Sequence, residues 1–133
     1  MKAFRVALSV AALAPTLALA CAPGLEGGTN IESARYRIAY RLIPARVSVG
    51  KPFAIDLVVC PKNALDRLVE LRVDAHMPAH RHGMNYKASI DTQGDTGRFR
   101  AQGLMFHMPG TWEILFDMRS ENGTERMTQE YRL

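Results

Sequence analysis

The chain has 133 residues, 47% of them hydrophobic and 23% charged. Seventeen Lys and Arg stand against thirteen Asp and Glu, a formal net charge of +4, and because Lys2 and Arg5 fall in the first twenty residues the remainder carries only +2. The other basic residues are spread along the chain, which excludes the massed positive face of a nucleic-acid-binding protein, and the length suits one domain with a substantial core.

Residues 1–20 read as a cleaved signal peptide: a basic start, an apolar run over 6–20, and the small-residue end Ala18-Leu19-Ala20 before Cys21. The run is too short, and too interrupted by Pro15, for a membrane span. The processed chain, 21–133, is therefore expected to lack an integral span and to reside in the periplasm or outside the cell. Cys21 then has two mutually exclusive uses. As the first residue after the signal it could carry lipid, although Ala18 stands where lipoproteins usually have leucine. Alternatively it pairs with Cys60, the only other cysteine, and an even count in a small exported domain favours the bridge. Such a bridge, closing a loop of about forty residues, adds a few kcal/mol by restricting the unfolded chain.

A Gly-rich lead-in over 21–34 precedes a domain over 35–133. Tyr36, Ile38, Tyr40 and Leu42 alternate with Arg35, Arg37, Ala39 and Arg41, the period of a strand with one buried and one wet face. Val47 and Val49 extend this to a turn at Gly50-Lys51-Pro52. A second strand alternates Phe53, Ile55, Leu57 and Val59 with Ala54, Asp56, Val58 and Cys60. From 68 to 77, Val69, Leu71, Val73 and Ala75 share a face. The glycines of 91–97 predict a turn, followed by strands over 98–102 and 112–118, the latter with Trp112, Ile114, Phe116 and Met118 on one side. Asn122-Gly123 predicts a hairpin into a last strand over 125–131. No helical period occurs outside the signal. Six or seven short strands in about a hundred residues predict an all-β fold, an antiparallel immunoglobulin-like β-sandwich.

All four histidines lie in two short stretches, His76-Met77-Pro78-Ala79-His80-Arg81-His82-Gly83-Met84 and Met105-Phe106-His107-Met108-Pro109-Gly110, together with four of the seven methionines. Imidazole nitrogens and thioether sulfurs in one place suit copper, above all Cu(I), better than zinc, which favours thiolates in such sites, or a hard cation that wants oxygen ligands. An extended His80-Arg81-His82 segment would put both imidazoles on one side, and a turn at Gly83 would bring Met84 towards them. His107 and Met108, before the Pro109-Gly110 turn, complete the candidate metal ligands: His80, His82, Met84, His107 and Met108. His76 has the parity of Arg72 and Asp74 and is expected to face solvent at its strand end. Met77 has core parity, Met105 is left unassigned, and Met108 could equally plug the sandwich beside Trp112. The Asn122-Gly123-Thr124 sequon is explained by the hairpin turn without glycosylation.

The run from Ala75 to Met84, followed by Gly-Leu-Met-Phe-His-Met-Pro-Gly-Thr-Trp-Glu over 103–113, resembles the YtkA-like domain family, which is similar in turn to FixH-like proteins. The resemblance covers about residues 36–133. It implies a small exported immunoglobulin-type sandwich, an association with copper handling or with assembly of copper- and haem-dependent machinery, and a ligand role for His80, His82, Met84 and His107. FixH-like relatives are usually membrane-anchored, and this chain lacks a retained span.

The expected function is thus an exported copper-binding protein that buffers or delivers Cu(I), with an extracytoplasmic copper- or haem-protein as partner. The alternative is a metal-free accessory module that docks its loops on a redox or transport partner. Catalysis is not expected. Asp74, His76 and Glu113 are conceivable acid–base groups, but there is no nucleophile motif, phosphate-cradling loop or dinucleotide fingerprint.

Overall fold

The computed structural model describes Cys21, residues 23–94 and residues 97–133; the signal peptide expected over 1–20 lies outside the described residues. Among the described residues, nine strands follow one another: β1 (Thr29–Glu32), β2 (Tyr36–Ile43), β3 (Pro52–Pro61), β4 (Glu70–Met77), β5 (His82–Gly83), β6 (Ser89–Thr92), β7 (Arg98–Met105), β8 (Thr111–Ser120) and β9 (Gly123–Arg132). They form two antiparallel sheets, one ordered β1-β2-β3-β7-β6 and the other β5-β4-β8-β9. This is the antiparallel β-sandwich of immunoglobulin-like type that the alternation predicts.

The six long strands coincide with the alternating segments. Alternate residues of each strand point inward, so Tyr36, Ile38 and Tyr40 meet Phe53, Ile55, Leu57 and Val59 in one sheet, while Leu71, Val73, Ala75 and Met77 join Trp112, Ile114, Phe116 and Met118 in the other. All of these are buried. The three extra strands, β1, β5 and β6, are four residues or fewer at sheet edges. β1 arises within the expected lead-in, and its single inward residue, Ile31, leaves no period to read.

Three local expectations are corrected. Val47 and Val49 do not prolong a strand: Val47 is a buried loop residue whose N–H donates to the Tyr131 hydroxyl at 3.3 Å, and Val49 is exposed. Val69 does not share the buried face of β4; it sits before the strand, 55% exposed, with its N–H on the Arg119 carbonyl. Gly83 is not the turning residue. The left-handed position is Arg81, at φ 55°, which follows a 3-10 turn over Pro78–His80 and donates its N–H to the Pro78 carbonyl.

Sheet one is covered on both faces around β3. Cys21 and Cys60 lie at disulfide distance with Cα atoms 5.5 Å apart, holding the N-terminal segment over Val58 and Cys60, both buried. Gly97 is required there: a side chain would meet the Val59 carbonyl at 2.8 Å and Cys21 Sγ at 3.3 Å, and its φ of +85° disfavours one in any case. Nearby, Asp56 accepts hydrogen bonds from Arg100 (2.6 and 3.0 Å) and from Arg41 (3.2 Å).

Candidate metal centre

The antiparallel register assembles the site. The β4–β5 connection and the β7–β8 connection emerge at the same end of the sandwich, because His76 pairs with Glu113 across β4 and β8 and Met77 pairs with His82 across β4 and β5. Paired residues share a face, so His82 shares the inward side of the buried Met77. Arg81, left-handed, reverses the chain between His80 and His82. The two imidazoles adjoin through this turn, with ring centroids 5.7 Å apart, and not through the extended spacing expected of them.

His107 enters from the other connection. Its ring centroid lies 4.9 Å from that of His82. With a metal–nitrogen bond of about 2 Å, two imidazoles sharing one ion have centroids about 5–6 Å apart, so both neighbouring pairs have suitable spacing. His82 is the ring that each of the others faces. Among the described residues, no three His, Cys, Asp or Glu side chains converge as a metal-holding group. The described geometry therefore offers a pair of imidazoles centred on His82, which neutral sulfur could supplement.

The hydrogen bonds indicate which nitrogens are free. His82 Nδ1 lies 3.3 Å from the Gly83 carbonyl. A carbonyl only accepts, so this contact puts the proton on Nδ1 and leaves Nε2 with a lone pair. His107 Nδ1 is buried and has no hydrogen-bond partner. Buried polar atoms without partners are uncommon and costly; an unprotonated Nδ1 bound to an electrophile would remove that cost. His76 differs: its Nε2 is 2.8 Å from Glu113 Oε2, which commits that nitrogen, and both side chains are about 40% exposed on the outer face. The expectation of a solvent-facing His76 thus needs a partner added, one that sequence could not supply without the strand register.

The methionines divide. Met77 is a core residue, as its parity predicts. Met84 and Met108 are partly buried and pack against the core at this end. Met105, on β7, pairs with Pro52 between the inward Leu104 and Phe106 and so lies on the opposite parity. Met108 also gives the site its floor, because its carbonyl accepts the indole N–H of Trp112 at 3.1 Å. Trp112 is fully buried and stacks on Phe106 at 4.7 Å and 25°. The turn closes with a reciprocal backbone pair between Gly110 and Leu133. Gly110 has φ +132°, and a side chain there would meet Met77 Cε at 2.6 Å.

No protein-family model matches the chain, and no curated protein matches it. Among solved structures, it is similar to a DUF4426 family protein from Pseudomonas aeruginosa PAO1, at 11% identity over 83% of this chain and 97% of that one, with a TM-score of 0.53. At that identity the likeness concerns the fold alone.

Proposed function

We propose that this chain is an exported protein that binds Cu(I) and buffers or delivers it, with the ion as cargo. The observation that supports the reading is His82 lying beside His80 on its own connection and beside His107 from a second one, with the buried Nδ1 of His107 left without a protein partner. His82 and His107 hold the ion. His80, exposed at the rim, is placed to receive it or pass it on. Met84 and Met108 supply thioethers close to these residues in sequence and favour the reduced ion. Histidine and methionine do not form disulfides, so this ligand set remains usable in an oxidising compartment.

Export is part of the proposal and rests on the signal-like start together with two cysteines at disulfide distance. No described helix is long and apolar enough to cross a membrane. The resemblance of 75–84 and 103–113 to YtkA-like domains supports the same assignment, and a copper- or haem-dependent protein is the partner it implies.

The test is anaerobic competition for Cu(I) against a chromogenic chelator, using residues 21–133 and a His80→Ala/His82→Ala/His107→Ala variant. One-to-one binding, weakened at least a hundredfold in a variant that keeps its circular dichroism, is the expected outcome. Equal, weak binding by both proteins would overturn the reading and leave the metal-free docking module in its place.

A further inference from the structure

We infer that β9 is a dimerisation edge, on which a second copy of this chain adds its own β9 antiparallel about a two-fold axis at Thr128; the inference is independent of the copper site. β9 is ten residues long and, among the described residues, pairs with β8 alone. The other sheet edges are protected. β1, β5 and β6 have four residues or fewer, and where β5 leaves β4 uncovered the Asp74 carboxylate takes the Ala75 N–H at 2.8 Å. Proteins blunt an exposed edge with short length, proline, lysine, a bulge or an inward charge. β9 has no proline and no lysine, its register with β8 runs unbroken from Gly123 to Arg132, and its inward charge, Glu125, is matched by Arg35 at 3.1 Å.

The register identifies the open backbone groups. Gly110 and Leu133 exchange both backbone hydrogen bonds, and bonding alternates along an antiparallel pair, so the odd-numbered residues of β9 bond to β8. Thr124, Arg126, Thr128, Glu130 and Arg132 therefore aim their N–H and C=O groups away from the sheet, and all five are exposed. A strand added there gains main-chain hydrogen bonds along its length, and a two-fold pair must be complementary to itself. With the axis at Thr128, Arg126 lies opposite Glu130 of the second copy, and Glu130 opposite its Arg126. These flank a pair of threonines, and both kinds of pair stabilise antiparallel strands. An axis at Arg126 or Glu130 would oppose like charges, and one at Met127 would set each charge against a threonine. Both side chains have capacity to spare. Arg126 donates to Asp117 through Nε (2.6 Å) and Nη2 (2.7 Å), which leaves Nη1 for the second copy. Glu130 has Arg132 at 3.8 Å, with side chains 64% and 80% exposed.

Sedimentation velocity of residues 21–133 over a wide range of concentration tests this, with amide exchange measured at both ends of the range. The expected result is a reversible dimer with a dissociation constant below about 1 mM, in which the amides of Arg126, Thr128 and Glu130 become protected. Thr128→Pro removes an N–H that the monomer does not use and should leave a folded monomer. Glu130→Arg and Arg126→Glu should each weaken self-association about tenfold or more by opposing like charges across the axis. A mixture of these two variants should dimerise again, because every such contact then joins opposite charges. Should Arg126→Glu, which loses its bond to Asp117, fail to fold, Glu130→Arg and Thr128→Pro carry the test. A wild-type monomer at every concentration would overturn the inference and leave the edge to a strand from another protein. A dimer that persists in folded Thr128→Pro, or a mixture of folded charge variants that stays monomeric, would overturn it as well.

Discussion

The two ends of the sandwich solve opposite problems. At one end, Arg35 reaches from the start of β2 to Asp66 (3.3 Å) and Glu125 (3.1 Å), and donates to the Gly123 carbonyl at 3.0 Å. Asn63 caps the short 3-10 turn over Ala64–Asp66 and donates to Asp66, and Asn122 donates to the Leu65 carbonyl. Arg35 Nε and Glu125 Oε2 lack hydrogen-bond geometry, but they face each other as an ion pair. At the other end the polar groups include the imidazoles, and His107 Nδ1 has no hydrogen-bond partner. One end spends its polar groups on closing the fold. The other leaves the buried Nδ1 of His107 unsatisfied beside a fixed aromatic floor, the feature on which the proposed copper site rests.

Mutation should separate the two ends. Arg35→Ala removes the cationic partner of the buried Asp66 and should cost about 3 kcal/mol of stability, read from urea denaturation, while Cu(I) affinity stays within twofold of wild type. A large loss of affinity in the folded variant would show that the ends are coupled. Met84→Leu/Met108→Leu should do the reverse. Leucine conserves packing, so stability should change by less than about 1.5 kcal/mol, whereas Cu(I) binding should weaken about tenfold in the chelator assay. Unchanged affinity would remove the thioethers from the site.

The smallest effect concerns the middle of the molecule. Hydrogen bonds from Arg100, joined by those from Arg41, outweigh burial and hold the Asp56 carboxyl below its usual range. A depressed folded-state pKa means that the contribution is present above the unfolded value of about 3.9 and is lost as pH falls through the folded one. Thermal melting of wild type should therefore decline below about pH 4, and Asp56→Asn, less stable at neutral pH, should decline less over the same interval. Parallel decline of the two would contradict this role for Asp56.

What sequence made legible follows from the physics of each feature. Trp112, Ile114, Phe116 and Met118 alternate because one face of β8 is core, so that strand could be read directly. Strands β1, β5 and β6 could not, since each offers too few inward residues to set a period. The histidine and methionine stretches were visible as composition, and their meeting required only that two connections share an end. The turn between His80 and His82 was not legible: arginine has no preference for left-handed backbone, and the 3-10 turn starting at Pro78 imposes it. The His76–Glu113 contact spans 37 residues and exists only through the β4–β8 register. Trp112 was read as core, correctly, but its neighbours His82 and His107 come from other segments and could not be read from the strand pattern.

The most direct test is long-range proton–nitrogen NMR of the histidine side chains, with Ag(I) as the diamagnetic counterpart of Cu(I). At one equivalent, His82 Nε2 and His107 Nδ1 should shift together, while the His76 ring, held by Glu113, stays where it was. Shifts at His76 alone, or none at any histidine, would contradict the account.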